Sequence, residues 1–254
     1  MGEKDEVKMI RRRLEELAER SYNENRYFYT GFLGLSELGI YQSMRQELSF
    51  VPSEAFGGTD SCERCIVRFG SVEMCGYEED FPIRLLKAEA IQEKFADHLT
   101  HRDFLGSVLG LGLEREKIGD IFLLDNEGFL FVHADISEYI CDQLTFVKHT
   151  KVRVSELDEV PEELKPKLRG EMLVVSGNRI DSIIARLYHL SREDAQRLVQ
   201  SEQVFINGRT VMQVSRALKA GDVISVRHYG RFRFVAEEGR TKKDRLNIRV
   251  EVYC

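Results

Sequence analysis

The chain has 254 residues, is 43% apolar and 31% charged, and carries a net charge of −6, which is enough to bury a full core in two or three modest domains. Its longest apolar runs, near Val108 to Leu113 and Phe122 to Leu124, fall far short of the roughly 20 residues a bilayer-spanning helix needs. The polar start, Met1 to Glu6, offers neither a secretory core nor a myristoylation signal, so the sequence reads as soluble and cytoplasmic, with no membrane partner.

Five cysteines, Cys62, Cys65, Cys75, Cys141 and Cys254, form an odd, sparse set that argues for reduced thiols rather than a disulfide framework. Cys62 and Cys65 make a C-x-x-C pair without the second closely spaced pair of a structural zinc site, so no metal and no cofactor is expected.

In chain order, residues 1–77 read as a small α/β unit. Val7, Ile10, Leu14, Leu17 and Ala18 recur at helical spacing between Asp5 and Arg26, and Ser36 can cap a helix over Glu37 to Leu48. The Arg11-Arg12-Arg13 triplet is flanked by acidic residues and reads as a solvated helix face. After the Gly57-Gly58 turn, Cys65 to Phe69 reads as a strand. Residues 78–160 give the order β-α-β-β-α-β: strand Ile83 to Ala90, a helix capped by Thr100 and Asp103, strands Ile121 to Leu124 and Phe129 to His133 around Asp125 to Gly128, a helix Asp135 to Gln143, and a last strand Leu144 to Val154. That order predicts a ferredoxin-like, RRM-like middle domain. Phe129 and Phe131 share one strand face, where they either stack bases or, more commonly for Phe on a strand, belong to the core. Pro161 to Pro166 is a polar breaker, so residues 161–177 read as a linker followed by a short strand, Met172 to Ser176.

The charge of residues 178–254 differs from that of the rest. Between Arg179 and Arg233 ten Lys/Arg stand against five Asp/Glu, a surplus of five on a chain whose remainder has a deficit of eleven. Nine of the ten cations are Arg, the side chain suited to bidentate phosphate contact, so attraction to a polyanion would be local and orienting. Ile180, Ile183, Ile184 and Leu187 make one apolar helical face and leave Arg179 and Arg186 outward. Ser191 caps a second helix with Asp194 three residues on. On it, Arg192, Gln196 and Gln200 form a flank of donors beside Arg197. Ser191, Arg192 and the amides of that helix start are expected to make an anion site. Val204 to Ile206 and Arg209 to Val211 form a hairpin through Asn207-Gly208 in a type I′ turn. Gly221-Asp222 is a further turn before strand Val223 to Arg227. Arg231-Phe232-Arg233-Phe234 alternates two Arg with two Phe. Two short Arg-edged helices on a small sheet suit a structured RNA backbone, read through shape and phosphate.

The patterns R-I-D-x-I (Arg179 to Ile183), S-R-x-x-A-x-x-L-V (Ser191 to Val199), V-x-I-N-G (Val204 to Gly208) and G-D-V-I-S-V-R (Gly221 to Arg227) resemble the ribosomal-protein-S-four-type (alpha-L) RNA-binding domain. That domain usually has Gly before the hairpin, where Glu202 or Gln203 stands here. Most of the remaining chain is similar to the YlmH family of bacterial and plastid proteins. The similarity rests on Ala55 to Gly58 with Glu63-Arg64, on His101 to Gly112, on Lys117 to Ile121, and on S-V-R-x-Y-G-R-F (Ser225 to Phe232), in which His228 stands where Gly is frequent. From its residues the chain is not expected to be an enzyme, and the elements read above make it α+β and multi-domain. The resemblance implies a cytoplasmic protein that binds rRNA and also tRNA on the large ribosomal subunit. In this family that activity is linked to rescue and quality control of stalled nascent chains, and the middle domain is regarded as RNA-binding.

The expected RNA contacts are Arg179, Arg186, Ser191, Arg192, Gln196, Arg197, Gln200, Asn207, Arg209, Arg227 and Arg231, with His101 and Arg102 in the middle domain. The protein is expected to act as a monomer. An RNA-modifying enzyme is the first alternative, but no glycine fingerprint, P-loop or nucleophile-base pair is visible, and His101 and Asp103, two apart on a helix, diverge. The second is a protein-interaction adaptor using the acidic body, which a salt titration separates from phosphate-driven binding.

Overall fold

The computed structural model describes residues 3–92, 97–165 and 167–253. The chain folds as two compact units: Met1–Gly34 with Met44–Lys165, and Leu35–Ser43 with Pro166–Cys254.

In the first unit, α1 (Glu3–Glu24) buries Leu14, Ala18 and the Ser21 hydroxyl, which donates to the Arg26 carbonyl at 2.8 Å. The arginine triplet on its outer side is spent on glutamates: Arg11 pairs with Glu47, Arg12 with Glu16 and Arg13 with Glu116, at 2.7 to 2.8 Å. β1 (Phe28–Tyr29) is followed by α2 (Leu35–Met44), and residues 35–43 of that helix group with the second unit. The helix starts one residue before Ser36, which is therefore inside it rather than its cap, and it ends at Met44, short of the expected Leu48. β2 (Ser53–Phe56) and β3 (Ile66–Phe69) complete a three-stranded sheet ordered β1-β3-β2, and α3 (Val72–Cys75) follows.

A five-stranded antiparallel sheet comes next, from β4 (Ile83–Ala90), α4 (His101–Leu109), β5 (Ile118–Leu124), β6 (Glu127–His133), α5 (Ser137–Gln143), β7 (Phe146–Val147) and β8 (Thr150–Leu157). Its order is β5-β6-β4-β8-β7. The expected last strand, Leu144 to Val154, is broken into a hairpin at Lys148, whose φ is +56°. Leu144 and Val147 are both buried in the core that α4 and α5 cover. Residues three apart on one continuous strand would face opposite ways, so the chain has to bend.

The opposite sheet face carries Leu85, Phe129 and Phe131 and is covered by Phe32, Cys62, Ile66 and Leu164. Phe129 and Phe131 are 3% and 1% exposed. Their rings are core, and base stacking on them is ruled out in this fold.

The second unit has a six-stranded sheet packed against two helices. β9 (Leu168–Val175) leads into α6 (Ile180–Leu187) and α7 (Arg192–Gln200). β10 (Val204–Ile206), β11 (Arg209–Thr210), β12 (Val223–Val226), β13 (Gly230–Arg240) and β14 (Leu246–Tyr253) complete the order β11-β10-β12-β13-β14-β9. β9 is longer than the short strand expected at its place. All eight residues pair with β14, from Leu168 opposite Tyr253 to Val175 opposite Leu246. Of the breaker expected at Pro161 to Pro166, Pro166 lies outside the described residues. The apolar face of α6 (Ile180, Ile183, Ile184, Leu187) and α7's Ala195 and Val199 close on Phe232, Phe234, Ile248 and Val250.

The hairpin turn is type I′, with φ of +49° at Asn207 and +76° at Gly208. Gly208 is also required by close approach, because a Cβ there would stand 2.9 Å from the Leu35 carbonyl, and one on Gly39 would stand 2.6 Å from the Gly208 carbonyl. Glu202, one of the two residues where the resemblance leads to the expectation of Gly before the hairpin, and His228, the other such position, hold φ of +59° and +69°. The left-handed backbone persists with a side chain that disfavours it, at about 1 kcal/mol or more per residue. Glu202→Gly is therefore expected to raise stability by about 0.5 kcal/mol after glycine's larger folding entropy is subtracted. A urea midpoint shifted upward with an unchanged slope would show it.

Candidate nucleic-acid interface

The helix pair of the second unit is organised by one carboxylate. Asp181, in the first turn of α6, is fully buried. Its Oδ1 accepts from Arg179 Nε at 3.1 Å and from the Ser182 amide at 2.9 Å. Its Oδ2 accepts from Arg179 Nη2 at 3.2 Å, Arg192 Nε at 3.3 Å and Gln196 Nε2 at 3.0 Å. Burial pushes the carboxyl pKa up, but the hydrogen bonds from Arg179, Gln196 and Arg192 outweigh it and hold the group below the ordinary carboxylate range. The side chains of Arg179 and Arg192 remain 37% and 55% exposed. They are anchored at one edge and open to solvent at the other.

This arrangement alters the expected flank of donors. Arg192 and Gln196 turn inward to Asp181, whereas Gln200 is exposed. The anion site expected at the start of α7 is occupied by the chain's own acids. Ser191 Oγ accepts from the Asp194 amide at 3.0 Å and donates to the Asp194 carboxylate at 2.6 Å, and Arg197 pairs with Glu193 and Asp194, each at 3.2 Å.

Several of the cations of this unit line two depressions. One, of about 550 Å³, is lined by Ser176, Ser182, Arg186, His189, Arg192 and Arg245, with Val174, Val175, Ala185 and Leu190 as its apolar part and no carboxylate in its lining. Arg186 and Arg245 are exposed and form no ion pair among the described residues. Arg245 was not anticipated, although the run Lys242, Lys243 and Arg245 is the signal that could have pointed to it. The other depression, of about 490 Å³, holds Asn207, Arg209, Thr210, Arg216 and Lys219 with Asp222. Asn207 serves structure there: its amide donates to Asp222 at 2.8 Å and its carbonyl oxygen accepts from the Val223 amide at 2.9 Å. Arg227 lies over the Phe205 ring at 5.4 Å, and Arg231 lies over Tyr253 at 5.6 Å while donating to Ser225 Oγ at 3.3 Å. The expected alternation on β13 is present, with Phe232 and Phe234 buried on one face and Arg231 and Arg233 on the other.

In the first unit His101 and Arg102 do not act together. Thr100 and Asp103 form a full capping box, which uses the Asp103 carboxylate. Desolvation and the nearby Arg115 guanidinium hold His101 below the ordinary imidazole range, so its ring is neutral near pH 7. Arg102 is exposed beside a separate groove with Lys148 and Phe146. The Cys62 thiol is pushed up to about 12, chiefly by burial and then by Asp120, which suppresses thiolate chemistry. Among the described residues no group of three or more His, Cys, Asp or Glu is placed to hold a metal ion, and no helix is long and apolar enough to cross a membrane.

The other motifs outside the basic unit are architectural. Arg64 reaches the carbonyls of Phe32 at 2.6 Å and Ile118 at 3.0 Å, and Asp120 accepts from the amides of Glu63 and Arg64. A Cβ on Gly57 would meet the Arg64 carbonyl at 2.4 Å, and one on Gly119 the Phe32 ring at 2.7 Å. These residues join the amino-terminal segment to the five-stranded sheet.

Residues 77–160 match the family profile described as "Putative RNA-binding domain in YlmH", and residues 178–224 match the S4 domain. The chain is 30% identical over 202 residues to the ribosome-associated protein quality control protein P2 of Bacillus subtilis, covering 77% of this chain and 76% of that protein. It is 38% identical over 60 residues to the small ribosomal subunit protein uS4 of Chromohalobacter salexigens, covering 23% of this chain and 29% of that protein. The solved structure of the cell division protein ylmH from Streptococcus pneumoniae superposes with a TM-score of 0.49 at 18% identity, over 62% of this chain and 93% of that one. The extent of the Bacillus match, together with a YlmH domain followed by an S4 domain, shows that this chain belongs to the YlmH family.

Proposed function

We propose that this protein is a non-catalytic, cytoplasmic RNA-binding protein that associates with the ribosome in quality control of stalled nascent chains. It acts as a monomer and holds structured rRNA, and tRNA beside it, on the large subunit. Residues 78–160 form its ferredoxin-like RNA-binding domain and residues 178–254 its S-four-type domain. The observation that carries the reading is the carboxylate-free depression where Arg186, His189, Arg192 and Arg245 converge, with Arg192 held by buried Asp181. Guanidinium groups oriented in advance lose little side-chain freedom when they meet phosphate, and phosphate contacts position a structured RNA without reading its bases. The relative's name, ribosome-associated protein quality control protein P2, supplies the setting.

Arg186 and Arg245 are the primary contacts, with Arg179, Arg192, Arg209, Arg227 and Arg231 supporting. Gln200 and Arg197 lie on the exposed flank, and Ser191, Gln196 and Asn207 shape the surface. Because the Arg186 and Arg245 guanidinium groups form no ion pair among the described residues, Arg186→Ala with Arg245→Ala should leave the fold intact. Affinity for purified large subunits should fall about tenfold or more. Each lost phosphate contact removes roughly 0.9 from the slope of log affinity against log salt, so the double variant should be shallower by about 2. An unchanged affinity and slope would remove this face from the binding surface.

A further inference from the structure

We propose that the groove between α4 and the β7-β8 hairpin is a second RNA site, one that takes unpaired nucleotides with a base stacked on Phe146 and phosphates on Arg102 and Lys148. It rests on the RNA-binding reading above and gives the middle domain a contact surface other than its sheet. The sheet face on which RNA-recognition folds stack bases is closed here, since Phe129 and Phe131 are buried under Phe32, Cys62, Ile66 and Leu164.

The groove measures about 530 Å³ and is lined by Arg102, Gly106, Gly110, Phe146 and Lys148 among others. Phe146 is 52% exposed although Leu144 and Val147 on either side are buried. A ring half in water there forgoes about half of the roughly 1.5–3 kcal/mol that burying it fully would contribute. Arg102 and Lys148 form no ion pair among the described residues, although Asp103 lies near enough to feel Lys148: the Thr100 hydrogen bonds first, and Lys148 after them, hold its carboxyl below the ordinary range. The Asp103 carboxylate in the same lining is bound by the Thr100 amide at 2.9 Å and the Thr100 hydroxyl at 2.7 Å.

The floor supplies an independent observation. A Cβ on Gly106 would meet nothing within 4 Å, and its φ is not left-handed. Glycine inside a helix costs about 1 kcal/mol against alanine, and nothing in the packing requires it there. An open groove lined by an exposed ring, a glycine with free space above it and two cations fits a stacked base and its phosphates.

The full-length protein is titrated with fluorescein-labelled octauridylate and, separately, with large subunits. Phe146→Ala should weaken octauridylate binding at least fivefold, as loss of one stacked base implies. Gly106→Leu should weaken it comparably while raising thermal stability, since leucine fills the groove and favours the helix. Arg186→Ala with Arg245→Ala should leave octauridylate binding nearly unchanged while weakening large-subunit binding. Octauridylate affinity insensitive to both Phe146→Ala and Gly106→Leu would overturn the site and leave the carboxyl-terminal interface standing. Loss of subunit association in those variants with octauridylate affinity intact would assign the groove to a protein contact and overturn it equally.

Discussion

Asp181→Ala is expected to destabilise the second unit by about 2–3 kcal/mol. Removing one partner of a buried ion pair costs roughly 3–5 kcal/mol when the remaining charge stays buried. Here the stranded groups are Arg179 and Arg192, 37% and 55% exposed, and they can rehydrate, so the lower figure applies. The Ser182 amide loses one of its two acceptors and keeps the Arg179 carbonyl at 3.0 Å. Because the folded-state pKa of Asp181 is depressed, its stabilisation is present above the ordinary carboxylate range, near pH 4, and is lost as pH falls through the lowered value. Asp181→Asn should therefore lose less stability in acid than the wild type does, when urea midpoints are compared from pH 7 down to pH 3.

The same variants separate charge from orientation. Each makes the basic unit one charge more positive, so simple electrostatic accumulation would tighten RNA binding. If Asp181 acts by holding Arg192 at the depression, large-subunit affinity should instead fall several-fold despite the added charge. Tighter binding by Asp181→Asn would sink the orienting role.

Gly58→Ala should cost the first unit about 3 kcal/mol or more, read as a lowered urea midpoint and a weakened near-ultraviolet aromatic signal. Gly58 has φ of +110°, and a Cβ there would fall 2.2 Å from Cδ1 of the Phe131 ring, itself 1% exposed. Backbone strain and overpacking each contribute on the order of 1–3 kcal/mol. Gly106→Ala is the matched control and should stabilise by about 1 kcal/mol. A wild-type midpoint for Gly58→Ala would show that the amino-terminal segment does not pack on the sheet as described.

Arg102 and His101 show how far reading along the chain reaches. Their helix and its cap follow from Thr100 and Asp103, three residues apart, yet His101 sits near Arg115 while Arg102 fronts a groove with Lys148. In the same way Arg192 was legible as a cation on a helix flank, but its tie to Asp181 was not, because an eleven-residue separation has no period that repeats. Arg245 joins Arg186 only when β14 returns to the sheet beside β9.

From the residues alone came what neighbours decide: the capping box at Thr100, the Asn207-Gly208 turn, the buried stripe of α6 and the alternation along β13. These depend on backbone sterics and on hydrogen bonds a few positions apart, so the string of residue types contains them. Tertiary packing alone decided which arginines are spent on carboxylates and which face water, and that the aromatic face of β6 lies beneath Phe32, Cys62 and Ile66, far earlier in the chain. Long side chains take whichever partner the fold brings within about 3 Å, and that partner comes from a distant stretch of chain.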